Sequence, residues 1–216
     1  MDSARIADLL RPFLGERELA PAQIDALQRY LALLMRWNAR MNLTAVRNEE
    51  HIVTRHIGES LFTARCVLPD VQAKLNVVDV GSGAGFPGLP LKIFAPAVNL
   101  TLVESQNKKA TFLKEAVRAV HLDDTHVFAD RAERFAEQFG GKADLVTMRA
   151  VERFGDVLSV AASLVSKDQG RPGKLALLLG EAQVEQTKKE LSRFQWLAPK
   201  RIPLSQARCL LVGSAH

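Results

Sequence analysis

Cysteine is scarce in this chain: Cys66 and Cys209 are the only two among 216 residues, and they form no Cys-x-x-C pair. That excludes a disulfide framework and points to a reducing, cytoplasmic setting. Long apolar runs are also missing, and the opening stretch MDSARIADLL is not built like a signal peptide, so neither a membrane span nor export is expected. There is no internal repeat and no low-complexity tract. His51 and His56 are five residues apart rather than the four that suit one helix face, so no metal site is predicted. What the chain does have is length for one main domain with an appendage, and a net charge of +5.

That charge is unevenly spread. Residues 66–150 hold 10 Lys/Arg against 10 Asp/Glu. Residues 188–208 carry Lys188, Lys189, Arg193, Lys200, Arg201 and Arg208 against Glu190 alone. Arg29, Arg36, Arg40, Arg47 and Arg55 run through the N-terminal region against Glu49 and Glu50. Basic flanks around a neutral centre fit a polyanionic partner, and equally fit an ordinary solvated surface.

The most informative segment is VVDVGSGAGFPG, residues 77–88. Val77, Val78 and Val80 read as a buried parallel strand. Gly81, Gly83, Gly85 and Gly88 let the chain turn and a ligand approach the backbone, and Pro87 suits the opening of a helix. Strand, glycine loop and helix form the nucleotide-binding corner of a doubly wound sheet. No Gly-Lys-Ser/Thr follows, which excludes a P-loop. A pyrophosphate over the helix N-terminus would lie near Asp79, with nothing basic between Leu75 and Leu91. S-adenosylmethionine has no phosphate and carries an ammonium and a sulfonium, so Asp79 favours it, directly or by ordering the loop. The next predicted strand ends in Glu104, about twenty residues on, where a carboxylate suits a ribose diol in either type of cofactor.

Hydrophobic patterning divides the chain at about residue 70, into a helical N-terminal extension (1–70) and a Rossmann-like α/β domain (71–216). In the extension, helices are predicted at 3–14, from Pro21 through an apolar stripe that includes Leu27, Tyr30, Leu31 and Leu34, and at 49–65. From Leu75 strands (75–80, 99–104, 125–129, 143–148, 174–179) alternate with helices (87–95, 107–120, 131–138, 153–164, 181–193). The segments FQWLAPKRIPL and ARCLLVG are expected to close the sheet as a strand pair.

Absences narrow the chemistry further. DLVTMRAVERF (144–154) lacks the Asn/Asp-Pro-Pro-Tyr/Phe of exocyclic-amine methyltransferases, and neither cysteine follows a proline, as the nucleophile of cytosine carbon-five enzymes often does. An acceptor that is already nucleophilic, such as guanine N7, or a hydroxyl, remains. A nicotinamide-dependent oxidoreductase and a non-catalytic cofactor- and RNA-binding assembly factor stay open as alternatives.

WNARMNLTAVRNEEHIVTRHIGESL (37–61), VVDVGSGAGFPGLPLKI, LVESQNKKATFL, RAE (131–133) and MRAV (148–151) together resemble the bacterial small-subunit ribosomal RNA guanine-N7 methyltransferase family, once called the glucose-inhibited division protein B family. The resemblance covers nearly the whole chain. It implies a class I S-adenosylmethionine-dependent methyltransferase, acting as a monomer on 16S rRNA in the 30S subunit or its precursor, at a guanine in the decoding-region loop. It further implies that Gly81, Gly83 and Phe86 line the cofactor site with Asp79 beside them, that Glu104, Ser105 and Gln106 hold the ribose side, that Ala132 and Glu133 flank the adenine, and that Arg149, just past the fourth strand, closes the pocket. Read without the family, Arg149 is a surface or phosphate-contacting arginine. No catalytic acid or base is implied. Arg40, Asn42, His56 and Ser60 either border the mouth where a guanine enters or form a polar seam fastening the extension to the sheet, with His56 and Ser60 paired one helical turn apart. Two departures stand out: Asp130 and Arg134 bracket RAE in place of the usual glycine and second acid, and Leu179-Gly180 replaces the Lys-Gly of many relatives.

Overall fold

Near-continuous burial along the central valine-, leucine- and alanine-rich strands builds a sheet with apolar side chains packed on both faces. The computed structural model describes residues 1–149, 154–168 and 172–215. Ala150 and Val151 of the MRAV motif, and Arg153 at the expected start of a helix, lie outside the described residues.

In the N-terminal part, α1 (Ser3–Leu14) and α2 (Pro21–Met41) precede a continuous rod. The rod starts as α3 (Glu49–Ile52), widens to a π-helical segment (Val53–Gly58), and continues as α4 (Glu59–Val67). The expected helix at 49–65 is therefore present but interrupted at Arg55 and His56 by wider turns, a distortion often found at functional sites. Then follow β1 (Asn76–Val80), α5 (Gly88–Phe94), β2 (Asn99–Val103), α6 (Asn107–Ala119), β3 (Thr125–Phe128), α7 (Ala132–Phe139), β4 (Leu145–Arg149), α8 (Phe154–Leu164) and β5 (Lys174–Gly180). The chain ends with α9 (Val184–Glu190), β6 (Phe194–Trp196), β7 (Lys200–Arg201) and β8 (Arg208–Ala215).

The sheet order is β3-β2-β1-β4-β5-β8-β6, with β7 also paired to β8. β1 to β5 run parallel and β8 runs antiparallel to β5. The predicted closing pair is in fact three strands, because β6 and β7 each take part of the free edge of β8. Strand order reverses between β1 and β4, which opens a crevice at their C-terminal ends, the usual ligand position in such sheets.

One face of the sheet packs on α5 and α6. The same apolar cluster takes in Leu10, Phe13, Leu27, Tyr30, Leu34, Ile57 and Leu61 from the N-terminal helices. The other face, with Val78, Val80, Val146, Met148, Leu175 and Leu177, packs on α7, α8 and α9. α2 thus lies against the helices that flank the glycine loop, and this brings its residues to the crevice. Among the described residues no helix is long and apolar enough to cross a membrane.

Gly58, at the end of the π-helical segment, is where α1 presses closest: a Cβ there would meet the Phe13 ring at 2.5 Å. Alanine normally improves a helix relative to glycine. Gly58→Ala is expected to do the reverse and lower stability by about 1–3 kcal/mol through overpacking, read by thermal or urea denaturation.

Candidate active site

Beyond β1 the glycine loop adopts left-handed backbone at Gly81 (φ 68), Gly83 (φ 56) and Gly85 (φ 94), which side-chain-bearing residues rarely tolerate. Three groups hold it from behind. Asp79, fully buried, accepts hydrogen bonds from the Thr147 hydroxyl at 2.7 Å and from the Gly88 amide at 3.2 Å. The Tyr30 hydroxyl of α2 donates to the Ala84 carbonyl. Glu104 Oε2 accepts from the Gly83 amide at 2.9 Å, and its Oε1 accepts from the Gln106 amide at 2.8 Å. Burial pushes the Asp79 carboxyl up to about 6 against the lowering effect of these bonds. Of the two roles expected for Asp79, only the indirect one agrees with this placement, since its side chain orders the loop and does not line the cavity in front of it.

That cavity, about 440 Å³, is lined by Gly81, Ser82, Gly83, Ala84 and Phe86. Glu104, Ser105, Gln106 and Lys109 follow from β2 and α6, and Asp130, Arg131, Ala132 and Glu133 from the turn after β3. Arg149, His56, Thr44, Leu43, Asp156 and Val157 close the other end. The sheet order sets the polarity of the cleft: the β3 turn lies on one side of β1, and Arg149 at the end of β4 lies on the other. The volume suits a nucleoside-sized ligand. A Cβ on Gly83 would meet nothing nearer than the Gly81 carbonyl oxygen at 3.8 Å, so bare backbone faces open cavity there. Each Glu104 oxygen accepts one amide and keeps a lone pair for a ribose hydroxyl. These features fit S-adenosylmethionine and are compatible with the roles expected for Glu104 at the ribose and for the 130–133 turn at the adenine.

Arg149 is the last residue of β4, not just beyond it, and its side chain is only 7% exposed. Its Nη2 donates to the Arg55 carbonyl at 2.8 Å, lies 2.7 Å from His56 Nδ1, and sits 3.1 Å from the Glu59 carboxylate. The guanidinium also stands over the Phe86 ring, 5.9 Å from its centroid. Burial pulls Arg149 down to about 10, with Glu59 opposing. Glu59, 2% exposed, is shared with Arg208, which pairs with its other oxygen. Burial first, and then the charges of Arg149, Arg208 and Arg55, push His56 down to about 3. His56 is therefore a neutral imidazole, its ring tilted on Phe86 at 4.9 Å between centroids.

The N-terminal signature separates into residues that reach the cavity and residues that do not. His56 reaches it. Ser60 is fully buried, and its hydroxyl donates to the His56 backbone carbonyl at 2.6 Å, so the expected Ser60–His56 side-chain pair is corrected to a turn-stabilising bond. The His56 ring instead meets Thr44 Oγ1 at 2.8 Å. Asn42 caps α2 in left-handed backbone (φ 51) and takes a hydrogen bond from Arg47. Arg40 is exposed on α2. Neither Arg40 nor Asn42 is among the lining residues.

Sequence reasoning missed Tyr30 as a site residue, because its place in an apolar stripe made it look like core alone. It missed Glu59 because one acid inside a helical stretch carries no signal of its two arginine partners. It missed Thr44 as a lining residue, because a threonine in a polar turn looks like a cap or tie. Of the two departures from the family pattern, Asp130 does line the cavity, while Arg134 turns away to Glu137 at 3.1 Å. At the other, Leu179 packs into the core, and Gly180 pairs across the sheet with Arg208.

A family model described as rRNA small subunit methyltransferase G matches residues 23–208. The ribosomal RNA small subunit methyltransferase G of Stenotrophomonas maltophilia (strain K279a) is 39% identical over 176 residues, 82% of this chain and 77% of that protein. Its counterpart in Staphylococcus saprophyticus is 35% identical over 172 residues, 79% of this chain and 71% of that one. Among solved structures, a ribosomal protein L11 methylase from Lactobacillus delbrueckii subsp. bulgaricus superposes with a TM-score of 0.60 at 16% identity, covering 76% of this chain and 80% of that chain. At that identity the likeness speaks to the fold alone.

Glu104→Ala is expected to weaken S-adenosylmethionine binding by about 1.5–3 kcal/mol, the scale of a charge-assisted hydrogen bond. Calorimetric titration checks it, and an unchanged dissociation constant in a folded variant would exclude the ribose role.

Proposed function

Because this chain belongs to the rRNA small subunit methyltransferase G family, we propose that it transfers a methyl group from S-adenosylmethionine to N7 of a guanine in the 16S rRNA of the small ribosomal subunit. The observation that carries this reading is the union, in one cleft, of the glycine loop and Glu104 with Thr44, His56 and Arg149 from the family's other motifs. The oxidoreductase and the non-catalytic factor are set aside by the family membership.

When bound, S-adenosylmethionine supplies an activated methyl group on a sulfonium. The chain's own residues then have to place an acceptor in line with it and keep water out. Guanine N7 presents a free lone pair and loses no proton as it attacks, so the site needs no general base. The wall opposite the adenine end agrees: His56 is held neutral far below the range in which imidazoles work as bases, and Arg149 is committed to Glu59, Arg55 and His56. Fixed dipoles and alignment remain as the source of rate.

The substrate is a polyanion, and the exposed arginines give it a track. Arg29, Arg36 and Arg40 share one face of α2, whose C-terminal end leads directly into Leu43 and Thr44 at the cavity. At the C-terminal end of the chain, Lys188 is paired with Glu185 and Arg201 with Glu181, both at 3.1 Å, so that patch offers less free charge than its composition suggests. We therefore assign phosphate positioning mainly to α2.

Two outcomes are expected. Single-turnover methylation at saturating donor and RNA should be nearly flat between about pH 7 and pH 9. That window lies above the Asp79 value of about 6, so the carboxylate stays charged, and below the Arg149 value of about 10, so the guanidinium stays charged; His56, at about 3, stays neutral throughout. The product should be cleaved by borohydride and aniline, as N7-methylguanosine is. A rate rising tenfold per pH unit, or a resistant product, would remove the N7 assignment. Second, joint reversal of Arg36 and Arg40 to glutamate should reduce the slope of log affinity against log salt by roughly 1 to 2, with donor affinity unchanged. A slope that ignores both charges would place the RNA elsewhere.

A further inference from the structure

The hydrogen-bond chain from Arg149 to Thr44 has a fixed direction. A guanidinium has donors and no acceptor, so His56 Nδ1, 2.7 Å from Arg149 Nη2, must accept. A neutral imidazole that accepts at Nδ1 carries its proton on Nε2. That Nε2–H lies 2.8 Å from Thr44 Oγ1 and donates to it. The Val46 amide donates to the same oxygen at 3.2 Å. A hydroxyl has two acceptor positions and one hydrogen. Both acceptor positions of Thr44 are filled, and among the described residues nothing takes its hydrogen.

Nor is the hydroxyl free to turn away. The Thr44 amide donates to Asn38 Oδ1 at 2.8 Å, and Asn38 Nδ2 donates onward to the Val46 carbonyl at 3.3 Å. Asn38 is itself buried, so the 44–46 turn is clamped to α2. Thr44 lines the cavity at the Arg149 end, away from the adenine side, together with Leu43, His56, Arg149, Asp156 and Val157. The result is a hydroxyl donor, with no accepting capacity left, on a residue of the cavity wall.

We propose that the Thr44 hydroxyl is a specificity-determining donor that reads O6 of the target guanine while N7 attacks. This rests on the guanine-N7 reading above. Guanine shows two acceptors on its major-groove edge, N7 and O6, whereas adenine shows N7 beside an N6 amino donor. N7 must be left bare to attack, so O6 is the acceptor available for recognition. An ordinary threonine hydroxyl would rotate and accept from adenine as readily as it donates to guanine. Here Arg149, through His56, and the Val46 amide occupy the lone pairs, so an adenine N6 amino group would meet an oxygen that cannot accept from it. Thr44 takes no part in the bond changes, in which the methyl carbon leaves sulfur and joins N7. It selects the base and holds its edge.

The test compares bases at the methylated position of 16S rRNA assembled into 30S subunits: guanine, inosine, which keeps O6 and N7, and 2-aminopurine, which keeps N7 and lacks O6. In single turnover, the wild-type enzyme should treat guanine and inosine alike and slow about ten- to a hundredfold on 2-aminopurine, as expected when a site built to hydrogen-bond loses its partner. Thr44→Val should slow guanine by a similar factor and add nothing further on 2-aminopurine, and Thr44→Ser should restore guanine. Equal losses for Thr44→Val on guanine and 2-aminopurine would overturn the proposal, since a merely structural threonine would behave that way. If Thr44→Val does not fold, an undiminished wild-type rate on 2-aminopurine overturns it alone. Failure of the underlying reading looks different: the wild-type product on guanine itself would then resist borohydride and aniline.

Discussion

A buried ion pair between Glu59 and Arg149 joins the two parts of this protein, and much of the site depends on it. The two residues come from the helical rod and from the end of β4, and both are almost wholly shielded from water. Removing one partner of such a pair costs about 3–5 kcal/mol, because the other charge is left uncompensated away from solvent. The pair therefore constrains the rod to one position against the sheet. Arg208, from the C-terminal strand, reaches the second oxygen of the same carboxylate, so three distant segments meet at one acid. With Arg149 so fixed, the His56 tautomer follows, and with it the direction in which Thr44 can donate.

The glycine loop depends on a similar economy of supports. Its left-handed residues leave backbone facing the cavity, and such a loop has little side-chain packing of its own. Its shape is imposed from outside by Asp79 beneath it, Glu104 beside it and Tyr30 from α2. Two of these three supports are carboxylates acting on backbone amides, so the segment that receives a cationic donor is also ordered by negative charge. Through Tyr30 the helical extension braces the glycine loop from behind. The extension also shares one apolar core with α5 and α6.

Charge is used in two ways in the same molecule. Arg149 is buried and Arg208 half-buried, and both are committed to Glu59, where they orient and do not recruit. Arg29, Arg36 and Arg40 remain in water on one face of a helix, where they act at longer range and are screened by salt. A tally of basic residues does not separate these roles. Burial and pairing do, and they also reduce the apparent weight of the C-terminal basic run, where Lys188 and Arg201 already have acidic partners.

Much of the fold was legible in the residues because its signals are local. The β-branched run into Gly81, the apolar stripe of α2 and the strand–helix alternation depend on neighbours a few positions away, and most predicted elements appear close to their expected bounds. The helix expected over 181–193 is instead a 3-10 turn (Glu181–Gln183) followed by α9, and the closing pair is three strands. The place of Glu104 in the crevice was legible too, since a strand of set length after a glycine loop brings its end there. For Arg40, Asn42 and Ser60 the choice between cavity mouth and polar seam was not legible: a cap, an exposed helix face and a buried hydroxyl look alike in a polar motif. The sequence by itself determined an α/β nucleoside-binding protein, with S-adenosylmethionine favoured by an acid where a pyrophosphate would be repelled. Only the tertiary structure decided which polar residues face the cavity and which way their hydrogens point. Those properties arise from partners 12 to 149 positions apart, as in Thr44 with His56 and Glu59 with Arg208, and no local pattern records them.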